Sequence, residues 1–225
     1  MILTSPFPDI EIPQLTLPEV VLRKTLELGD KPALIDGPSG HYISYRELGE
    51  KSKRIAAALA RRGFRRGDVL GIYSPNCPEY ALIFHGVVLA GGTNTTVNPL
   101  YTPQELSKQL NDCRARFLVC HADFLENALE AAGSTKVEEV FVIGDSKNAT
   151  PLSELLGVND PVPDVIIDPG EDLVVLPYSS GTTGLPKGVM LTHANLVSNL
   201  FQIQNLEPTS PEDTLIGALP FFHIY

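Results

Sequence analysis

Three glycines, four Ser or Thr hydroxyls and one lysine crowd into eleven residues, Tyr178-Ser179-Ser180-Gly181-Thr182-Thr183-Gly184-Leu185-Pro186-Lys187-Gly188. Glycines let backbone N–H groups approach an anion closely, hydroxyls donate to phosphate oxygens or reach a magnesium ion, and a lysine adds compact positive charge. Together they describe a cradle for a polyphosphate. A Walker A loop requires Gly directly before its Lys and Ser or Thr directly after it. Those positions hold Pro186 and Gly188 here. Val189, Met190 and Leu191 then read as a strand rather than the opening of a helix, so binding at a helix N-terminus does not apply simply, and a P-loop ATPase or kinase is disfavoured. By composition alone, a flexible Gly/Ser turn stays open as the alternative.

The other side chains with chemical potential fit structural roles better. Cys77, Cys113 and Cys120 are odd in number and lack the two-Cys spacing of zinc or redox sites, which reads as reduced, buried thiols. His193 follows Thr192 at a helix start and is expected to serve that terminus. His85 falls in an apolar helix, while His41 and His121 lie near strand or loop ends, without ligand-like spacing. A lone His223 after Phe221-Phe222 reads, by itself, as a packed or surface histidine. Asp112, Asp123 and Asp145 are scattered, and no carboxylate pair is evident.

The elements that must carry the loop follow from periodicity. Apolar residues recur at helical spacing between Tyr45 and Arg62, with Gly63 as the stop. Asp68–Tyr73 reads as a buried strand, Ser74-Pro75-Asn76 as a turn, and Pro78 as the first turn of an all-round apolar, buried helix reaching about Ala90. Thr93–Asn98 is a second strand, and Thr102-Pro103-Gln104-Glu105 has the form of a capping box. Strand Arg116–Cys120, helix Asp123–Ala132 and strand Val140–Ile143 follow. Alternating strands and helices imply parallel strands with helical crossovers, hence an α/β fold with a mostly parallel sheet flanked by helices. Residues 45–144 form this α/β region, and a Pro-rich connecting segment occupies 145–171, with one short helix near Leu152–Leu156. Residues 172–225 begin with strand Leu173–Leu176 and carry the loop.

The 225 residues are 43% hydrophobic and 20% charged, enough for a sizeable core, with disorder expected only in about the first dozen positions. A formal net charge of -10 argues against a nucleic-acid partner. The basic cluster Arg61, Arg62, Arg65 and Arg66 sits at a helix end, where cations suit the dipole. No apolar run reaches the roughly 18 residues of a membrane span, and no secretory leader is evident. A soluble, reducing compartment is expected, cytoplasmic, with a peroxisomal address depending on a carboxy-terminal signal not visible here.

The stretch SSGTTGLPKG followed by VMLTH is very similar to the phosphate-loop signature of the adenylate-forming superfamily, which spans acyl-CoA synthetases, 4-coumarate:CoA ligases, beetle luciferases and peptide-synthetase adenylation domains. ALIDG, the YREL helix, GDVLGIYSPNCPEY, GGTNTTVNPLYTPQEL and LPFFHIY agree in order, so the resemblance covers essentially the whole chain. TTVNPLYTPQELSKQL and LPYSSGTTGLPKGVMLTH look most like 4-coumarate:CoA ligases. The resemblance implies a two-step reaction: a carboxylate attacks the α-phosphate of ATP to give an acyl-adenylate and pyrophosphate, with Mg2+ assisting, and the CoA thiol then displaces AMP. Carried over by position, Ser179, Ser180, Gly181, Thr182, Thr183 and Lys187 bind the β- and γ-phosphates, Thr182 also contacts the magnesium ion, and Gly184 and Gly188 supply backbone freedom. His223 and Tyr225 fall where relatives place a substrate-facing histidine and tyrosine, with Phe221 and Phe222 packing the pocket wall. The implied substrate is a small carboxylic acid, hydroxycinnamate-like, aryl or fatty.

The sequence departs from the superfamily in stopping at Tyr225, within LPFFHIY. The Tyr-Gly-x-Thr-Glu segment, the ribose-binding aspartate, the hinge and the carboxy-terminal lysine are not in it. The expectation is therefore a partial, truncated AMP-binding domain over 1–225, inactive alone, whose uncovered sheet favours self-association. Luciferase-like or carrier-protein adenylation, and a non-catalytic nucleotide-binding or interaction module, stand as alternatives.

Overall fold

A computed structural model describes residues 6, 7, 9–179, 186–206 and 209–223. Three of its helices start where a side chain satisfies free N–H groups of the first turn. Thr16 and Glu19 form a reciprocal capping box on α1 (Leu17–Val21), which α2 (Lys24–Leu28) follows. A hairpin of β1 (Pro32–Ile35) and β2 (Tyr42–Ser44) delivers Ser44, which caps α3 (Tyr45–Arg61) together with Glu47. Each such box satisfies two otherwise unpaired donors.

From there the expected alternation holds. In order come β3 (Val69–Tyr73), α4 (Pro78–Leu89), β4 (Thr93–Val97), α5 (Pro103–Asp112), β5 (Phe117–His121), α6 (Leu125–Ala132) and β6 (Glu139–Ile143). Thr102 and Glu105 cap α5 as the sequence indicates. The connecting stretch holds β7 (Thr150–Pro151) and α7 (Leu152–Leu156), before β8 (Leu173–Val175), β9 (Tyr178–Ser179), β10 (Lys187–Gly188), β11 (Leu191–Thr192) and α8 (His193–Leu206). Of the run Val189–Leu191 expected to be a strand, only Leu191 belongs to one, β11; Val189-Met190 is the link between β10 and β11, which have different partners.

Seven strands join in the order β11-β8-β4-β3-β5-β6-β7. All pair in parallel except β11, which lies antiparallel on the β8 edge. Alternation along β3 sends Leu70 and Ile72 to one face, with Ile55, Leu59 and Ile83 of α3 and α4, and Val69 and Tyr73 to the other, with Leu106 and Leu110 of α5. Each fully buried aliphatic side chain of this kind contributes about 1.5–3 kcal/mol. The α3–α4 crossing depends on Gly86, where a Cβ would stand 2.5 Å from Ile55 Cγ2.

Three of the four arginines of the basic cluster make structural contacts. Arg62 reaches the Ala58 carbonyl of its own helix end and pairs with Glu139, while Arg61 faces Asp160 and Arg66 faces Asp172. Among the described residues no helix is long and apolar enough to cross a membrane.

Strand β4 is central and wholly buried, yet four of its five residues are polar. Its parallel ladder to β8 is thin, with Asn94 opposite Val175 as the registered pair. Side chains complete the seam. Thr93 Oγ1 donates to the Leu173 carbonyl at 3.2 Å, Asn94 Nδ2 to Val174 at 3.3 Å, and Thr95 Oγ1 to Leu176 at 3.0 Å. Buried polar groups persist when they are paired in this way.

Candidate functional site

The chain leaves β8 at Val175 and turns at Leu176-Pro177 into an antiparallel hairpin, β9 against β10, in which Ser179 stands opposite Lys187 and Tyr178 opposite Gly188. Cross-strand partners in such a pair point to the same face with Cβ atoms about 4.5–5.5 Å apart. The exposed hydroxyl of Ser179 and the exposed ammonium of Lys187 therefore emerge side by side at the base of the Gly/Ser/Thr loop. Ser180, Gly181, Thr182, Thr183 and Gly184, between them, and Tyr225 at the end, lie outside the described residues.

Two contacts fix the hairpin. The Val189 N–H donates to the Pro177 carbonyl at 2.8 Å, and Tyr178 Oη donates to the carboxylate of Asp112, the last residue of α5, at 2.5 Å. Burial, and then the Asp112 hydrogen bond, pushes the Tyr178 phenol above its ordinary range, so it stays a donor. The Tyr178 ring lies against Gly188, where a Cβ would come within 3.2 Å of ring carbons. Gly188 has no left-handed backbone. Its requirement is space for the ring, not the backbone freedom expected from its place in the loop.

Beside the hairpin opens a cleft of about 370 Å³ that joins the two predicted halves of the site: Ser179 and Pro177 on one wall, Phe222 and His223 on another, with Thr96 and Gln109 between them. Its location follows from topology. The chain leaves β3 into α4 on one face of the sheet and leaves β4 into α5 on the other. Such a switch point opens a crevice beyond the carboxyl ends of the strands, where open α/β sheets bind ligands. Lys187 is not in the cleft wall; it stands on the hairpin beside it.

His223 closes a short 3-10 turn, Phe221–His223, and its ring lies 4.2 Å from that of Phe222. Phe221 turns away, packing edge-on against Tyr80 of α4 at 5.7 Å. Of the two phenylalanines expected in the pocket wall, Phe222 lines this cleft and Phe221 anchors the turn in the helical layer. The turn is held by residues to which the sequence assigned no such role. Thr96 Oγ1 donates to the Phe222 carbonyl at 2.7 Å. Asn76, in the turn after β3, donates to the carbonyls of Gly217 (3.1 Å) and Leu219 (2.8 Å) and accepts from the Phe221 N–H (2.8 Å).

His193 and the three cysteines stand in structural surroundings. His193 is buried, but it serves a different helix from the one it opens: its Nδ1 accepts from the Leu17 N–H at the start of α1, at 2.9 Å, while Thr192 and Asn195 cap α8. Burial lowers the His193 pKa, against the opposing pull of the Asp172 and Glu19 carboxylates. The three thiols are unpaired by disulfides, and burial raises all of them, Cys113 to about 11 and Cys120 to about 12, so they stay protonated and unreactive. Among the described residues no group of three His, Cys, Asp or Glu side chains is placed to hold a metal ion.

Comparison with known proteins gives this geometry its context. 4-Coumarate–CoA ligase 3 of Oryza sativa subsp. japonica is 40% identical over 230 residues, covering 100% of this chain and 41% of the rice protein. Probable 4-coumarate–CoA ligase 1 of Dictyostelium discoideum is 36% identical, covering 99% of this chain and 44% of that protein. The chain thus spans less than half the length of these relatives. Among solved structures, a long-chain-fatty-acid-CoA ligase from Archaeoglobus fulgidus superposes with a TM-score of 0.88 at 33% identity, over 98% of this chain and 45% of its own. Residues 23–225 match the AMP-binding enzyme family, and with hairpin, cleft and switch point all inside that span, the chain belongs to this family of adenylate-forming proteins.

Proposed function

We propose that the chain is the ATP-phosphate-binding and acyl-facing part of an acyl- or aryl-CoA ligase. The observation that carries this is the hairpin register, which sets Ser179 opposite Lys187 at the mouth of the cleft that also holds His223. In the proposed reaction a carboxylate oxygen attacks the α-phosphorus of ATP, pyrophosphate leaves, and the CoA thiol then displaces AMP from the acyl-adenylate. Ser179, Ser180, Gly181, Thr182, Thr183, Gly184 and Lys187 hold the β- and γ-phosphates. Their work is electrostatic, keeping the departing pyrophosphate in line and stabilising its growing charge. Thr182 is the proposed contact for the Mg2+ that accompanies ATP. His223, with Phe222 beside it, faces the acyl group, and Tyr225 is proposed to contact the substrate as well.

The names of the relatives support a carboxylic acid substrate, hydroxycinnamate-like, aryl or fatty, and CoA as acceptor. The remaining length of those relatives supplies the rest of the catalytic apparatus, so residues 1–225 alone are proposed to bind without turning over. Binding of Mg·ATP and of candidate acids, measured by calorimetry, tests the first part. Carboxylate-dependent pyrophosphate exchange, followed by CoA thioester formation across hydroxycinnamates, benzoates and fatty acids, tests the second in the protein at the length of its relatives. Exchange without CoA dependence points to carrier-protein or luciferase-like chemistry; no ATP binding at all points to a non-catalytic module.

A further inference from the structure

We infer that Thr96 and Asn76 form a two-point mount that positions His223 in the cleft, and so act as positioning residues for the carboxylic acid substrate. This rests on the acyl-facing reading of the cleft. Residues 212–220 belong to no strand, and the side chains of 209–220 are exposed, so among the described residues no backbone ladder or buried face fixes the approach to His223 ahead of Phe221, whose ring packs on Tyr80. Two side chains from the carboxyl ends of neighbouring parallel strands do so instead. Asn76 offers its amide as a neighbouring strand would offer a peptide group, giving two donors to Gly217 and Leu219 and one acceptor to Phe221. Thr96, 2% exposed, adds a buried hydroxyl bond to the Phe222 carbonyl, one residue from His223.

The two points differ in setting. Asn76 is exposed, so each of its bonds competes with water; its strength lies in three bonds from one rigid amide. Thr96 is enclosed, and its hydroxyl lies between the sheet and the cleft, in contact with both. Losing the hydroxyl strands the Phe222 carbonyl, while the strand backbone, held by the β3 ladder and by Gln109 Nε2 on the Thr96 carbonyl, stays in place. The phosphate hairpin hangs from Pro177 and Asp112 and shares neither attachment. A loosened mount therefore moves the acyl wall and leaves the β9–β10 hairpin where it is.

The test uses Thr96→Val, Thr96→Ser and Asn76→Ala in the full chain, read by amide hydrogen exchange and by separate titrations with 4-coumarate and Mg·ATP. Thr96→Val and Asn76→Ala are expected to speed exchange of the Phe221 and His223 amides at least tenfold and to weaken 4-coumarate about tenfold, with Mg·ATP affinity within twofold. Thr96→Ser, which keeps the hydroxyl, restores both. Unchanged exchange in Thr96→Val and Asn76→Ala overturns the mount. Equal weakening of both ligands overturns the positioning role in favour of general destabilisation, which thermal melts of the three variants register independently. A wild-type chain that binds neither ligand, with exchange responding as expected, refutes the acyl-cleft reading and supports the mount alone.

Discussion

Acidification is expected to destabilise this fold through His85, and the size of the effect can be worked from its surroundings. The imidazole sits in the apolar helix α4, next to Phe84 at 5.6 Å, with Nδ1 enclosed and without a hydrogen-bond partner among the described residues. Desolvation penalises the charged form and lowers its pKa from 6.5 to about 4. In the unfolded chain the same ring titrates near 6.5, so below that pH the unfolded state binds the extra proton. The contribution is whole above pH 6.5 and is lost as the pH falls toward about 4. Between pH 7.5 and 5 the loss reaches at most about 2 kcal/mol, because the ring is only part-buried and borders the cleft between α4 and residues 216–221; even so it is a large part of the stability of an ordinary domain. His193 adds to the same limb, because burial lowers its pKa too. Glu47, lowered to about 2 chiefly by its Lys51 hydrogen bond, begins to lose its contribution only below about pH 4.5, so the interval from 6.5 to 5 isolates the histidines. His85→Leu keeps the apolar bulk and removes the titration. Urea unfolding at pH 7.5, 6 and 5, followed by circular dichroism, should show the variant losing less stability than wild type over that range, by up to about 2 kcal/mol. Identical acid limbs in the two proteins would falsify the assignment, since they would mean that His85 is as hydrated in the fold as in the unfolded chain.

Lys187→Ala should weaken Mg·ATP at least tenfold by calorimetry, with the melting temperature unchanged because the side chain is exposed on the hairpin; unaltered affinity removes Lys187 from the phosphate site. Gly188→Ala places a methyl 3.2 Å from a ring that Asp112 holds in place, and should cost about 1–3 kcal/mol in urea melts. That cost should shrink in a Tyr178→Phe background, where the ring is released. Thr95→Val removes the hydroxyl that accepts from Gln109 Nε2 at 2.8 Å and donates to the Leu176 carbonyl, so about 1–3 kcal/mol should be lost and exchange should rise along β8 rather than β5.

Much of the architecture was legible because it is written in local repeats. Apolar spacing places α3, a Pro at the first turn opens α4 and α5, and strand-helix alternation forces a parallel sheet. The loop chemistry at Ser179–Gly188 was readable for the same reason, as it is a dense run of residue types. The capping boxes at Thr16 and Ser44 are local patterns of the same kind, a hydroxyl followed three residues later by Glu. What no periodicity encodes is the destination of a polar side chain. Thr93–Thr96 read simply as a strand, yet its hydroxyls hold the β8 seam and the His223 turn. Asn76 read as a turn residue, yet it bonds a segment 141 residues away. His193 read as serving its own helix and instead serves α1. Hydrogen bonds of this kind depend on which carbonyl or N–H the packed layers bring within about 3 Å, and that distance exists only once the sheet has chosen its strand order. The run of residues was enough to name the chemistry of the phosphate loop; only the folded chain put Ser179 and His223 on one cleft and revealed the side chains that keep them there.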